Sequence, residues 1–414
     1  MSVNIKRETA YLYVVQISNI ILPLIMVPYL AHVLGLDFFG KLSFAQAVSY
    51  ICIFIVDFGF NFSAARGIGI NIGKNKEIDK LYSNVQFVKI ILFSIVVVFL
   101  FFLSLFINLS VIDSKLMLLG GISSLSSIVM PVWLFQGLGR NSYVAVLNLI
   151  TRVFSMVFIL LLIKSDADII TASSLQLLSP LVAGVIMQYF MIKKEIVRFK
   201  VKDISVSNSV TITKDSFHNF SASFLTLGFT YFNPILVKLF LGDSALGLYS
   251  FAEKLANVLR QLYIPLVQAC FSKICILFQE GNTPIIRKII LKVFVFFTIL
   301  TVIAYVGNVF LGDFIISLFF SQSASVSQLL LIMIITQGVI SYSMILVNLI
   351  IIPAGFSFYL KRVYFKALVS YAVVIYPLIH FFGVYGVASS IVAVEIIIVA
   401  CFGLFICKKK ILLN

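Results

Sequence analysis

Long apolar runs separated by short polar breaks follow one another along almost the whole chain. An α-helix needs roughly 20 apolar residues to cross the hydrocarbon of a bilayer. The pattern therefore predicts an all-α membrane protein of about 12 transmembrane helices. In the amino-terminal half the expected spans are Tyr11–Leu34, Leu42–Ala64, Leu81–Ile107, Leu116–Leu138, Val144–Ile163 and Ile169–Ile192. In the carboxyl-terminal half they are Phe217–Leu241, Leu248–Leu277, Ile289–Val309, Leu318–Ile352, Tyr364–Phe382 and Val387–Cys407. The tenth begins on a polar stretch, Ser321 to Gln328, expected to start its helix.

Composition agrees with the pattern. Of the 414 residues 61% are hydrophobic and 11% charged, with a mean hydropathy of +1.11. Soluble domains are about half apolar and a quarter charged, so the excess must face lipid. A net charge of +15 would suggest nucleic acid in a soluble protein. Here the cations sit in short loops with few aromatic residues among them, which marks them as topology determinants and speaks against nucleic acid. With the amino terminus in the cytoplasm, the inside loops collect Lys6, Arg7, Arg66, Lys74, Lys76, Lys80, Arg140, the 193–214 cluster, Arg287, Lys288, Lys361, Arg362 and Lys408 to Lys410. The outside loops hold only Lys41, Lys115 and Lys164, so both termini are expected inside. Lys6 and Arg7 precede a full-length span rather than a cleavable leader, and the first helix is expected to stay. The five cysteines and three histidines show no metal-ligand or redox spacing.

The longest polar segment, Lys193 to Asp215, has the length of a linker. The expected organisation is a six-helix lobe over 1–192, a cytoplasmic linker over 193–215 and a second six-helix lobe over 216–414. No loop has room for a soluble catalytic domain, which favours a transporter over an enzyme.

The two halves read alike. Gly40-Lys41-Leu42-Ser43-Phe44-Ala45-Gln46 enters the second span, and Gly247-Leu248-Tyr249-Ser250-Phe251-Ala252-Glu253 enters the eighth. Each follows another glycine, Gly35 or Gly242, and a proline in the preceding helix, Pro28 or Pro234. A duplication of six spans gives two pseudo-symmetric bundles of the same orientation. Transporters built from such repeats place the substrate site at the repeat interface.

Polar residues recur at helical spacing within four spans. Asn219, Ser223, Thr226, Thr230 and Asn233 share a face of the seventh, and Gln46, Tyr50, Asp57 and Asn61 a face of the second. Tyr249, Glu253, Asn257 and Arg260 do so on the eighth, and Gln16 with Asn19 on the first. These seams suit either interhelical hydrogen bonding or a shared polar cavity. Charges within spans carry more information, because each costs about 2.5–3.5 kcal/mol at a helix centre on insertion scales. Arg260 lies deep in the eighth span, with Glu253 two turns earlier on its face. Asp57 is either functional or the partner of a cation such as Lys89. Arg152 and Glu395 each either tie helices together or serve the site. Lys254 points about 100° away from Glu253, and Lys238 is close enough to a helix end to snorkel. Lys89, Lys273, Lys292 and Lys366 are expected to snorkel to the inner surface.

The chain resembles the Wzx-type O-antigen flippases, the polysaccharide transporters of the multidrug/oligosaccharidyl-lipid/polysaccharide exporter superfamily. The matching residues are Pro28-Tyr29-Leu30, Val33-Leu34-Gly35, Phe39-Gly40, Phe44-Ala45-Gln46, Asp57-Phe58-Gly59-Phe60-Asn61 and Pro131-Val132-Trp133-Leu134-Phe135-Gln136-Gly137. In the second half they are Gly247-Leu248-Tyr249-Ser250, Ala252-Glu253-Lys254 and Pro265. One departure is Leu138-Gly139-Arg140, where such proteins often carry an acid after Phe-Gln-Gly. The resemblance implies a two-lobed bundle in the bacterial inner membrane that flips an undecaprenyl-pyrophosphate-linked oligosaccharide from the cytoplasmic to the outer leaflet. It further implies an O-antigen polymerase and a chain-length regulator as membrane partners.

On that reading Arg260, with Lys254, Lys238 and Arg152, is expected at the pyrophosphate or an acidic sugar, and Gln46, Asn219, Thr226, Thr230 and Asn233 at hydroxyls. No cofactor is expected; an inward proton or sodium ion would use Asp57, Glu253 or Glu395. The competing readings are an ion-coupled multidrug antiporter of the same superfamily, which the deep Arg260 disfavours, and a membrane enzyme, which would display an extramembrane loop with clustered acids.

Overall fold

The computed structural model describes residues 5–107, 109–227, 231–318 and 323–411, and every regular element among them is helical. In chain order these are α1 (Ile5–Asp57), α2 (Phe60–Ile70), α3 (Asn75–Phe106), α4 (Val111–Ser123), α5 (Ser126–Val129) and α6 (Val132–Gly137). There follow α7 (Asn141–Leu162), α8 (Ile169–Leu177), α9 (Ser179–Lys193), α10 (Val206–Leu227) and α11 (Asn233–Leu241). The last are α12 (Asp243–Gln279), α13 (Thr283–Ser317), α14 (Ser323–Leu346) with a π-turn over Val347–Ile351, and α15 (Phe358–Lys408).

Nine helical stretches among the described residues are long and apolar enough to cross a membrane. Two of them, Ile20–Ile70 and Phe358–Lys408, have 51 residues each, roughly 76 Å of helix against a hydrocarbon core of about 30 Å. Each contains a glycine off the helical path, Gly35 in the first and Gly383 in the second. Each is therefore two crossings, and α10 with α11 supplies one more. The result is a multi-pass α-helical membrane protein with about 12 crossings in two bundles.

By its contacts the chain divides into one unit of Met1–Leu22 with Val33–Phe224, and another of Pro23–His32 with Leu225–Asn414. The segment expected to be a cytoplasmic linker, 193–215, falls in the first unit and is helical from Val206. It is strapped to the start of α3. Asp79 accepts the backbone N–H of Arg198 (2.9 Å) and pairs with Lys200 Nζ (2.7 Å). Ser83 Oγ accepts the Lys200 N–H (2.9 Å), while Asn84 donates to Asp203 O (2.9 Å) and accepts from Ser205 N–H and Ser209 Oγ. Most of these bonds use backbone atoms of the segment, so its polar side chains give no sign of them.

Several expected spans are broken. The second runs to Asp57, where Phe58 (φ 41°) and Gly59 (φ 76°) turn left-handed before α2 begins. α10 crosses this break closely: a Cβ on Gly59 would lie 2.8 Å from both Phe220 N and Ser216 O. Phe220 stacks on Phe58 (4.5 Å between centroids) and Phe54 (5.1 Å), and Ser216 Oγ meets Ser63 Oγ at 2.6 Å. The fourth span is in three pieces, α4 to α6, and the sixth in two, α8 and α9. The seventh starts earlier than expected, as α10, and resumes as α11. Part of the polar start expected for the tenth, residues 321 and 322, lies outside the described residues.

The repeat read from sequence has a backbone counterpart. Gly35 (φ 71°, ψ 168°) and Gly242 (φ 88°, ψ −175°) share a left-handed φ with extended ψ, which glycine adopts without a Cβ clash. Downstream, Phe39 and Leu246, Leu42 and Tyr249, Ser43 and Ser250, Phe44 and Phe251, and Ala45 and Ala252 are buried pair by pair. Lys41 with Leu248, and Gln46 with Glu253, are half-buried in both copies.

The first unit's core gathers Phe60, Tyr82, Trp133, Leu134, Phe135 and Met187. The second's gathers Tyr263, Phe297, Ile345 and Leu349 in one cluster and Val363, Tyr371, Val394 and Phe402 in another. Outward residues such as Phe99, Leu161, Leu291, Ile303 and Phe310 are exposed, as helices facing acyl chains require. Because Gly59 combines a positive φ with backbone contact, Gly59→Ala is expected to destabilise the protein by about 1–3 kcal/mol. A lowered unfolding temperature in detergent checks this, with Gly73→Ala, which meets open space, controlling for the left-handed φ alone.

Candidate functional site

In the second unit the polar face of α12 presents Glu253, Asn257 and Arg260, all half-buried, with half-buried Lys254 beside them. Arg260 lies within electrostatic range of Glu253 on its own helix and of Tyr364 and Glu395 on α15. Neither carboxylate forms an ion pair within 4 Å of it, so the guanidinium is balanced without a close partner among the described residues. Two contacts from α14 hold the group in place. Ser343 Oγ donates to Glu395 Oε2 at 3.2 Å, and Gln337 Nε2 donates to Asn257 Oδ1 at 3.0 Å. Two helices, α12 and α15, thus supply one arginine, two carboxylates and a tyrosine, and α14 supplies the amide and hydroxyl that bond to them. Chemically, the result is a mixed-charge cluster in which Arg260 is within electrostatic range of two carboxylates and makes no ion pair within 4 Å among the described residues.

The first unit carries a different construction. Lys89 on α3 is 1% exposed, not snorkelling as expected. Its ammonium donates to Asp57 Oδ1 at 2.7 Å and to Ser127 O at 2.9 Å, and Asn61 Nδ2 donates to Asp57 Oδ2 at 3.1 Å. Pro131 explains the second bond. It has no N–H to offer Ser127 O, and the chain bends at Met130 and Pro131, where the Val132 N–H turns to Met130 O. Three successive carbonyls lose their helical donors and each gains a side chain. Lys89 caps Ser127 O, Gln86 caps Ile128 O (3.0 Å) and Gln188 caps Val129 O (2.8 Å). Asp57 is thereby the counter-ion of a structural lysine, the pairing alternative that its sequence context left open.

The remaining site candidates are dispersed. Gln46 donates to Gln176 within the first unit. Arg152 is exposed on α7, and Asn219 is half-buried on α10 within the first unit. Asn233 is buried at the start of α11, where it accepts from Tyr371 of α15. Lys238 does not snorkel; it is paired with Asp243 across the Gly242 turn. Thr230 and the side chains of Gln16, Asn19 and Thr226 lie outside the described residues. The single stripe expected along the seventh span is divided between α10 and α11. Residues absent from the sequence-based set include Gln86 and Gln188; a mid-span proline that orphans carbonyls was the available signal. Tyr364, Gln337 and Ser343 had none: Gln337 and Ser343 bond partners 80 and 52 residues away, Tyr364 comes near Arg260 of another helix, and only folding unites them.

Residues 5–272 match the family described as "Polysaccharide biosynthesis protein". The chain belongs to that family. Among curated members, it is 28% identical over 404 residues to a Shigella dysenteriae protein named "Putative O-antigen transporter", covering 95% of this chain and 98% of that one. An Escherichia coli K12 protein of the same name is 26% identical over 424 residues, covering 99% and 98%. The fold is shared with solved transporters. The inward-closed lipid II flippase MurJ superposes with a TM-score of 0.73 at 16% identity, covering 98% of this chain and 89% of that one. An inward-facing multidrug resistance MATE family transporter of the MOP superfamily gives 0.65 at 14% identity, covering 94% and 99%.

Within this polysaccharide biosynthesis family member, removing Lys89 alone would strand a carboxylate and a carbonyl. Lys89→Met is expected to cost about 3–5 kcal/mol. Asp57→Asn together with Lys89→Met is expected to recover part of that loss. A double-mutant cycle on unfolding temperature in detergent checks the pairing, and additive losses would show that it contributes nothing.

Proposed function

We propose that this protein is a flippase that carries undecaprenyl-pyrophosphate-linked oligosaccharide repeat units from the cytoplasmic to the outer leaflet of the bacterial inner membrane by alternating access. Family membership and the curated relatives support lipid-linked saccharide as the cargo class. The observation that carries the reading on this chain is Arg260, a half-buried arginine in a transmembrane helix with no short ion pair among the described residues. A polyprenyl tail stays in lipid, whereas the glycan and pyrophosphate need a polar, cationic path. Arg260 would hold the pyrophosphate or an acidic sugar, with Lys254 nearby. Glu253 and Glu395 would balance the arginine when cargo is absent, and either would serve as the carrier of an inward proton or sodium ion. Both termini would be cytoplasmic, in line with the distribution of Lys and Arg among loops.

The driving force has a physical bound. Two negative charges moved outward across an inside-negative potential of about 100 mV release on the order of 4–5 kcal/mol, enough to bias export without a counter-ion. Multidrug antiport is the competing reading, since its fold neighbours include such transporters; Arg260 within the span disfavours cationic drugs there.

The deciding measurement is the sidedness of the lipid-linked repeat unit in cells lacking the protein, read with a reagent that cannot cross the inner membrane. Units trapped on the cytoplasmic face and released by restoring the gene are expected; unchanged outer exposure would remove the flippase reading. Arg260→Ala is expected to lower export at least about 30-fold at normal protein level, with Arg260→Lys less impaired.

A further inference from the structure

A cavity of about 360 Å³ opens in the second unit where the ends of α12 and α15 meet the turn after α14. Gln279 and Phe278 of α12, Phe356 of the turn, and Lys409, Lys410 and Ile411 after α15 line it, and no acidic residue does. It lies more than five turns beyond Arg260 along α12, roughly 28 Å on the helix axis, so it is separate from the proposed transport centre. Its place at the end of a transmembrane helix puts it at head-group level.

The backbone gives an independent observation. Lys410 N–H bonds Cys407 O at 3.1 Å and Ile411 N–H bonds Ile406 O at 3.2 Å, the pair of closures that ends a helix through a left-handed residue. That residue is normally glycine or asparagine. Here it is Lys410, with φ 51°. A run of lysines for topology would be served by Lys408 and Lys409 with glycine next. Lys410 holds this left-handed backbone, as Glu195 does at the end of α9, and lines the cavity beside Lys409 and Gln279, with both lysines exposed at its mouth.

We propose that this cavity binds the phosphate of an anionic membrane phospholipid. Lys409 and Lys410 would meet the phosphate oxygens, Gln279 would donate to the head group, and Phe278, Phe356 and Ile411 would pack against the start of the acyl chains. Basic pockets at helix ends on the membrane surface take anionic head groups in this way. The site goes beyond the transport reading and stands whether or not that reading holds.

The test uses the full chain purified in detergent, with lipid retention read by native mass spectrometry and unfolding temperature measured in parallel. The probes are phosphatidylglycerol, phosphatidylcholine and inorganic phosphate. Phosphatidylglycerol is expected to be retained about 25-fold more tightly than phosphatidylcholine, from two lysines at about fivefold each. Lys409→Gln with Lys410→Gln should abolish that preference. Lys410→Gly should cost about fivefold in retention while the unfolding temperature without lipid stays the same or rises, because glycine relieves the backbone. Equal retention of the two lipids, or a preference that survives in the double variant, would overturn the proposal. Inorganic phosphate protecting the protein as well as phosphatidylglycerol does would assign the cavity to a free anion and overturn the lipid assignment.

Discussion

Inside a bilayer no water is available to satisfy a backbone carbonyl that loses its helical donor, and each such loss costs several kcal/mol. The first unit is organised around one such loss, at Pro131. The break between α5 and α6 leaves Ser127, Ile128 and Val129 without N–H partners, and Lys89, Gln86 and Gln188 fill their places. A lysine in that role brings a charge into the interior, which makes Asp57 obligatory as its counter-ion. Asp57 in turn ends α1 just before the left-handed turn at Phe58 and Gly59, against which α10 packs. The motif residues Asp57-Phe58-Gly59 and Pro131 are thus parts of one construction: the break between α5 and α6 is capped from α3 and α9, its lysine is neutralised from α1, and the end of α1 at Gly59 is crossed by α10.

The repeat shows which features the two halves share and which they do not. Gly35 and Gly242 hold the same unusual backbone, and the residues that follow alternate between buried and half-buried in the same order. The halves then diverge in their charges. At the last matched position the first unit has Gln46, which bonds Gln176, where the second has Glu253, within range of Arg260. One copy has become neutral and internally satisfied, the other charged. A scaffold with two equivalent helices can specialise one of them in this way without altering the packing that both require.

Much of this was legible in the chain itself. Hydropathy located the crossings because lipid imposes a length that few other environments do, and the glycine, serine, phenylalanine and alanine order located the repeat. Arg260 stood out because an arginine within a membrane span is costly. Lys89 was misread for a physical reason. Depth along a helix says whether a lysine can reach the surface but not whether something inside is better, and its partners lie 32 and 38 residues away. The same limit hid the helix breaks within spans, since apolar content is unchanged across a kink. It also hid the strap over 198–205, whose bonds to Asp79, Ser83 and Asn84 are made by backbone N–H groups that no side-chain pattern announces.

The second unit raises an apparent contradiction: a centre proposed to hold an anion is flanked by two carboxylates. Insertion energetics resolve it. An arginine in the bilayer without counter-charge is expensive, so a transporter must neutralise it whenever cargo is absent. A tight ion pair would meet that need too well, because the anion would then have to break a short, desolvated contact. Glu253 and Glu395 instead stand within electrostatic range of Arg260 without pairing at close distance, and Ser343 fixes Glu395 where it is. Counter-charges so placed offset the insertion cost and leave the guanidinium's donors available. On the proposed function, the empty state is then stable enough to persist yet not so stable that cargo cannot displace it, which is what a carrier that must return unloaded requires.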